Sequence, residues 1–178
     1  MNQFSATVEL CRGALASGTP LILRIRGTSM LPALWSGDCI SVRPAVLADV
    51  RPGDVAVFVR NRHLVVHRVV RGSEGAGAGT VVTRGDAQRH DDPPIEESEL
   101  LGVAEAVHRF GKQRPLRRRM PAIARGVAWL VRHSPRVRSL LDRGNAVARR
   151  WGLVKAPPAV HPCCEFAHWR DSSADSKP

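Results

Sequence analysis

Val55-Ala56-Val57-Phe58-Val59-Arg60 is followed by Asn61-Arg62-His63 and then by Leu64-Val65-Val66-His67-Arg68-Val69-Val70. β-Branched side chains dominate both runs. They pack well on a pleated surface and lose rotamer freedom in a helix. The polar triplet between them reads as the turn of a hairpin. Outward from this pair the same pattern recurs in shorter pieces: Leu21–Ile25, Cys39–Val42, Thr80–Thr83 and Leu100–Val107 read as strands. Pro52-Gly53-Asp54 and Asp91–Pro94 read as turns, and the Gly/Ala-rich stretch Ser73–Gly79 as a flexible loop. The chain from 21 to 107 is therefore expected to be mainly β.

Both flanks change period. Phe4, Val8, Cys11 and Leu15 fall at helical spacing and Gly18 with Pro20 closes the segment, so residues 1–20 read as a short amphipathic N-terminal helix. After His108 the composition turns Arg-rich. Pro121 opens a helix with Ile123, Val127, Leu130 and Val131 on one face. Ser134 caps a second, with Pro135 at its first position and Val137, Leu140, Leu141, Val147 and Trp151 along it. Arginines are expected on the opposite faces. Residues 108–155 thus form a basic C-terminal helical extension, and 156–178 read as a disordered tail.

Charge follows the same division. Residues 1–107 carry 11 Lys+Arg against 12 Asp+Glu, and residues 108–178 carry 16 against 4, so the whole formal excess of +11 lies in the extension and tail. A basic appendage on a near-neutral domain has three readings: an anionic membrane surface, a nucleic acid, or inward packing of the apolar faces with the arginines solvated. No helix-turn-helix, zinc-finger or RNA-binding signature supports the second, so nucleic acid is not expected. Apolar runs fall far short of the roughly 20 residues that span a bilayer, and neither a transmembrane helix nor a secretory signal is expected. Cys11 and Cys39 lie in apolar segments and read as core residues. Vicinal Cys163 and Cys164 do not suggest a disulfide framework, and with His161 and His168 they match no standard zinc spacing. The expected setting is cytoplasmic, with peripheral contact to the membrane through 108–155 left open; no metal or other cofactor is implied.

The chemistry centres on Arg26-Gly27-Thr28-Ser29-Met30-Leu31-Pro32, which places a serine hydroxyl after a strand between a turn-permitting glycine and a stiffening proline. A histidine, His67, sits inside a β-branched run. Thr83-Arg84-Gly85-Asp86 ends a further strand, and Asp91-Asp92 follows. Taken as residues alone, His67 reads first as a packed strand histidine, Asp86 as a turn cap and His63 as an exposed hairpin-tip residue, with His90 as a rival base.

In order and spacing, Gly-x-Ser-Met-x-Pro, Pro-Gly-Asp with an apolar strand, His-Arg-Val-Val, and Gly-Asp followed six residues later by Asp resemble the type I signal peptidases, which share a β-rich fold of small coiled sheets with the LexA-type self-cleaving repressors. The resemblance covers about Leu21 to Val107. It implies a serine-type endopeptidase acting on a protein or leader peptide, with Ser29 as nucleophile. Bacterial members use a lysine base, but residues 1–107 contain none. At the matching position stands His67, as in the archaeal and endoplasmic-reticulum branch. A neutral imidazole can take the serine proton, whereas the guanidinium of Arg68 cannot. By the same resemblance, Asp86 or Asp92 orients His67, and Gly27, Thr28, Met30 and Pro32 lie along the bound substrate. The chain departs from the family in three ways. Only a short amphipathic segment stands where an anchoring helix usually is, Gly27 replaces a common serine oxyanion donor, and the basic extension has no counterpart. A non-catalytic or regulatory module on the same fold, bound to nucleic acid or membrane through the basic segment, is the alternative.

Overall fold

A computed structural model of the protein describes residues 3–19, 21–72 and 80–150. The order of elements is α1 (Gln3–Ala16), β1 (Leu21–Arg24), β2 (Cys39–Pro44), β3 (Val55–Arg60), β4 (His63–Arg71), β5 (Val82–Arg84), β6 (Leu100–Arg109), β7 (Lys112–Pro115), α2 (Ala122–His133) and α3 (Pro135–Arg150), with one 3₁₀ turn at Leu47–Asp49. The loop read at Ser73–Gly79, the cysteine pair Cys163-Cys164 and the tail lie outside the described residues.

The seven strands form one antiparallel sheet in the order β1-β2-β6-β3-β4-β5, with β7 paired to β6. The fold is mainly β, as the sequence implies. Antiparallel strands with alternating side chains put an apolar layer on each face. On one face Leu21, Leu23, Ile40, Val57, Leu64 and Val66 pack with Val8, Cys11 and Leu15 of α1. On the other Phe58, Val65, Val69, Val81, Ile95 and Val103 form a second cluster. The β3–β4 hairpin is tighter than expected: Asn61 and Arg62 take φ of 49° and 62°, the two left-handed residues of a turn whose twist matches its strands. His63 therefore belongs to β4.

β6 is longer than its apolar pattern suggests, and β7 lies in the segment assigned to the extension. Phe110 and Gly111, with φ of 55° and 70°, turn the chain back. Lys112-Gln113-Arg114-Pro115 is exposed throughout, so no hydrophobic alternation announces the strand.

The extension is not simply apolar inside and basic outside. On α2 the buried residues are Ala128 and Val131, whereas Ile123 is 84% and Leu130 45% exposed. On α3 Val137 and Leu141 pack inward, while Leu140 and Val147 face out. The inner cluster joins Val131 to Leu31 and Ala87 of the β domain, with Trp35 and Val127 beside them. Two arginines expected on the outer faces turn inward: Arg132 Nη2 donates to the Asp86 carbonyl at 3.1 Å and Arg138 Nη2 to that of Ala87 at 2.5 Å. Those carbonyls lie in a loop without ladder partners, and a buried carbonyl needs a donor. That need outweighs simple amphipathic segregation.

Gly102 marks the tightest backbone approach in the sheet. It stands opposite Pro44 on β2 and Val57 on β3, and a Cβ there would lie 2.1 Å from the Arg43 carbonyl oxygen. Gly102→Ala is expected to lower stability by about 1–3 kcal/mol through forced backbone displacement, read as a lower denaturant midpoint at unchanged slope.

Candidate active site

Ser29 lies just beyond β1 in a run of turns. Gly27, at φ 94°, adopts a backbone conformation costly to any residue with a Cβ. Beyond it, Leu34 N–H donates to Met30 C=O at 2.9 Å, and buried Leu31 anchors the loop to α2. The far end is fixed by Asp38, which accepts from Trp35 N–H at 2.7 Å and from the Arg109 guanidinium of β6. The loop is also held by its backbone: Ala87 N–H donates to Ser29 C=O at 2.8 Å. A Cβ on Gly85 would lie 2.7 Å from that same oxygen. Gly85 is thus required where two loops meet, a role that only the folded contact reveals.

His67 projects from the middle of β4, with its side chain 1% exposed, against the edge of Phe58. Its Nε2 lies 3.1 Å from Ser29 Oγ and its Nδ1 2.7 Å from Asp92 Oδ2. An ionised carboxylate only accepts, so Nδ1 carries the proton toward Asp92, and Nε2 is left to accept from the serine hydroxyl. The same Asp92 oxygen accepts from Thr83 Oγ1 at 2.7 Å, while Asp92 N–H donates to Thr83 C=O at 2.8 Å. Thr83, the middle residue of β5, therefore fixes both backbone and side chain of Asp92.

Asp86 is elsewhere. Both its oxygens accept from Arg68, Nε at 2.8 Å and Nη2 at 2.9 Å, in a buried bidentate pair. Of the two aspartates offered as partners of His67, the structure turns Asp92 to it and leaves Asp86 to Arg68. Successive side chains on a strand point to opposite faces, so His67 and Arg68 cannot reach the same carboxylate. Arg68 Nη1 also donates to the carbonyls of Gly53 and Arg117, at 2.8 and 3.2 Å. Neighbouring Asp91 takes Arg71 and Arg84, each at 3.1 Å, and so is not a competitor for the imidazole.

Arg60 is a further positioning residue. It donates to the carbonyls of Pro93 and Pro94 at 2.7 and 2.9 Å, directly after Asp92, and makes two hydrogen bonds to Glu99. Those hydrogen bonds hold the Glu99 carboxyl below its ordinary range against the opposing effect of desolvation. A depressed carboxyl contributes stability above its unfolded value, and loses it as pH falls through the folded one. The clamp therefore loosens only in acid.

A narrow cleft of about 20 Å³ opens beside Ser29. One wall is formed by Ile25, Arg26, Gly27, Ser29 and Met30 and the other by Leu64–His67 of β4. Of the four residues assigned to substrate, Gly27 and Met30 line this cleft; Thr28 and Pro32 do not. His63 is exposed at the hairpin, and His90 is exposed on its loop. Among the described residues no group of three or more His, Cys, Asp or Glu is placed to hold a metal ion, and none of their helices is long and apolar enough to cross a membrane.

Residues 2–82 match the family model described as Peptidase S24-like. The matched stretch contains Ser29 and His67, and the match is consistent with the resemblance carried by the motifs. A search of curated proteins finds no match.

The two aspartates should separate by experiment. Asp86→Ala leaves Arg68 buried and unpaired, and about 3–5 kcal/mol of stability should be lost. Asp92→Asn keeps an acceptor for Thr83 and lies nearer solvent, so its thermal midpoint should fall much less; equal losses would contradict the assigned roles.

Proposed function

We propose that the chain is a serine endopeptidase that cleaves a protein or leader peptide through Ser29, His67 and Asp92. The observation that carries this reading is the continuous relay from Ser29 Oγ through both nitrogens of His67 to Asp92. A strand histidine kept only for packing has no need of a serine at one nitrogen and a pinned carboxylate at the other. Such a relay is what activates a hydroxyl, which is a weak nucleophile on its own.

In the proposed reaction Ser29 Oγ attacks the peptide carbonyl carbon as its proton passes to His67 Nε2. Asp92 stabilises the imidazolium through Nδ1–H. The Ser29 backbone N–H steadies the oxyanion. Collapse breaks the C–N bond, His67 returns the proton to the departing amine, and water then hydrolyses the acyl-enzyme by the same path in reverse. Arg68 and Asp86 take no part in proton transfer. They hold the loop that carries Ala87, and through it the Ser29 carbonyl.

The cleft supports an extended substrate. Leu64–His67 pair with β3 on one side, and β5 begins its pairing only at Arg68, so their other edge carries no strand partner among the described residues. A peptide laid between that edge and Arg26–Gly27 would add a strand. The narrowness of the cleft at Ser29 suits a small side chain at the cut.

A serine-directed covalent probe set that includes a lipopeptide inhibitor tests the reading. Purified protein should be labelled, and labelling should vanish in Ser29→Ala and His67→Ala. Asp92→Asn, with the wrong histidine tautomer favoured, should slow labelling by roughly 10²–10⁴-fold. Labelling that persists in Ser29→Ala, or none in the parent protein, would replace catalysis with a binding or regulatory role for this domain.

A further inference from the structure

The packing of α2 and α3 leaves an outer surface that the β domain does not use. On α2 the exposed arc holds Ile123, Trp129 and Leu130, with Trp129 at 59%. Gly126 lies between them and opens the arc further, since no heavy atom stands within 4 Å of a Cβ placed there. On α3, Arg136, Leu140, Arg143, Val147 and Arg150 are spaced alternately four and three residues apart, so they run down one line of the helix. All five are exposed, Leu140 at 70%. Beside α3 a cleft of about 320 Å³ is bounded by Trp35, Arg109 and half-exposed Phe110 on one side and by Gly144, Asn145 and Ala148 on the other. Large apolar side chains outside the core are therefore concentrated at this end of the molecule.

Charge identifies what would cover them. Between residues 108 and 150 there are thirteen Lys or Arg and one acid, Asp142. A second copy of this surface would be repelled by like charge. A nucleic acid would satisfy the arginines, but interfaces with it are polar and do not call for exposed isoleucine, leucine and valine. An anionic lipid layer takes both kinds of group at once. Leucine, valine and tryptophan enter the boundary of headgroups and acyl chains, and each flanking arginine lays its alkyl stem along them and keeps its guanidinium among phosphates. The alternation Arg-Leu-Arg-Val-Arg along α3 places the two kinds of group side by side.

We propose that the outer face of α2 and α3 docks on an anionic membrane surface, with Ile123, Trp129 and Leu140 entering the interface and Arg136, Arg143 and Arg150 engaging lipid phosphates. The docking does not depend on peptidase chemistry. It does bear on the site, because the opposite face of the same helices packs on Leu31, two residues from Ser29, and caps the Asp86 and Ala87 carbonyls. A docked molecule would hold its Ser29 loop one helix diameter, roughly 10 Å, behind the lipid-facing surface.

The test is co-sedimentation of the full chain with phosphatidylcholine vesicles, with and without phosphatidylglycerol, alongside binding to a random duplex DNA. The parent protein should sediment with the mixed vesicles and remain in solution with phosphatidylcholine alone. The triple variant Ile123→Ser, Trp129→Ser, Leu140→Ser should bind at least about tenfold more weakly. Arg136→Gln with Arg143→Gln should lose about tenfold or more, at roughly 1 kcal/mol per basic side chain. Far-ultraviolet circular dichroism and thermal midpoints close to the parent's would confirm that these exposed changes leave the fold intact. No sedimentation with anionic vesicles overturns the proposal. So does binding that the apolar triple variant retains, which would mean charge adsorption alone, and so does DNA binding that outcompetes the vesicles. None of these readouts involves Ser29, so their failure is distinguishable from a failure of the peptidase reading.

Discussion

The buried pair between Arg68 and Asp86 is the contact on which the arrangement around Ser29 rests. Arg68 reaches from β4 to the loop after β5, to the turn at Gly53 and to the backbone at Arg117. A guanidinium can do this because its five donors lie in one rigid plane, and a carboxylate matches two of them at once. The Asp86 loop then presents Ala87 N–H to the Ser29 carbonyl, while Gly85 allows the backbones to meet. On the other face of the same strand, one residue earlier, His67 points to Ser29 and Asp92. One strand thus supplies both the histidine of the proposed relay and the brace that holds Ser29 in front of it. Brace and base occupy opposite faces, so a buried ion pair can stand beside the relay without entering it.

The extension adds a third support. Arg132 and Arg138 donate to carbonyls of the Asp86–Ala87 loop, Arg89 donates back to the Arg132 carbonyl, and Asn145 donates to Ser36 C=O on the Ser29 loop. Burial lowers the Arg132 guanidinium from its ordinary value, as does Arg84 nearby, and Asp86 counters both. The interlocking is polar where it touches the loops and apolar only at Val131, Val127, Val137 and Leu141. This explains why the two helices expose so much apolar surface: their inward faces are partly occupied by arginine.

Local chemistry was legible in the sequence and mutual arrangement was not. The β-branched runs at 55–60 and 64–70 are strands because their side chains fit nothing else as well. Ser29 and His67 could be singled out because their motifs occur in a known order. Asp86 and Asp92 could not be told apart along the chain, since both follow the same strand; only the alternation of β4, which sends Arg68 to one and His67 to the other, separates them. Thr83, Gly85 and Arg60 act through contacts distant in sequence and left no local signal, except that a threonine and a glycine closed the strand before Asp86. β7 went unread because all four of its side chains are exposed. Ile123 and Leu130 carry the right periodicity for an inner face, but the narrow inner groove is filled by Ala128 and Val131 instead.

Strand order carries a consequence for how the molecule comes into being. β6, the last long strand among the described residues, lies between β2 and β3, so the earlier strands cannot join into one sheet until it is made. Until residues 100–109 emerge, β1–β2 and β3–β4–β5 are two ribbons with no shared edge. Domains generally fold as units during synthesis at about 5–20 residues per second, and central insertion of a late strand is a non-local event that slows assembly. The stretch matched to the family, 2–82, ends before this strand and before Asp92. A nascent chain of that length would carry Ser29 and His67 on separate ribbons, with the relay unmade. The site is completed late in synthesis, when the growing chain inserts its own centre.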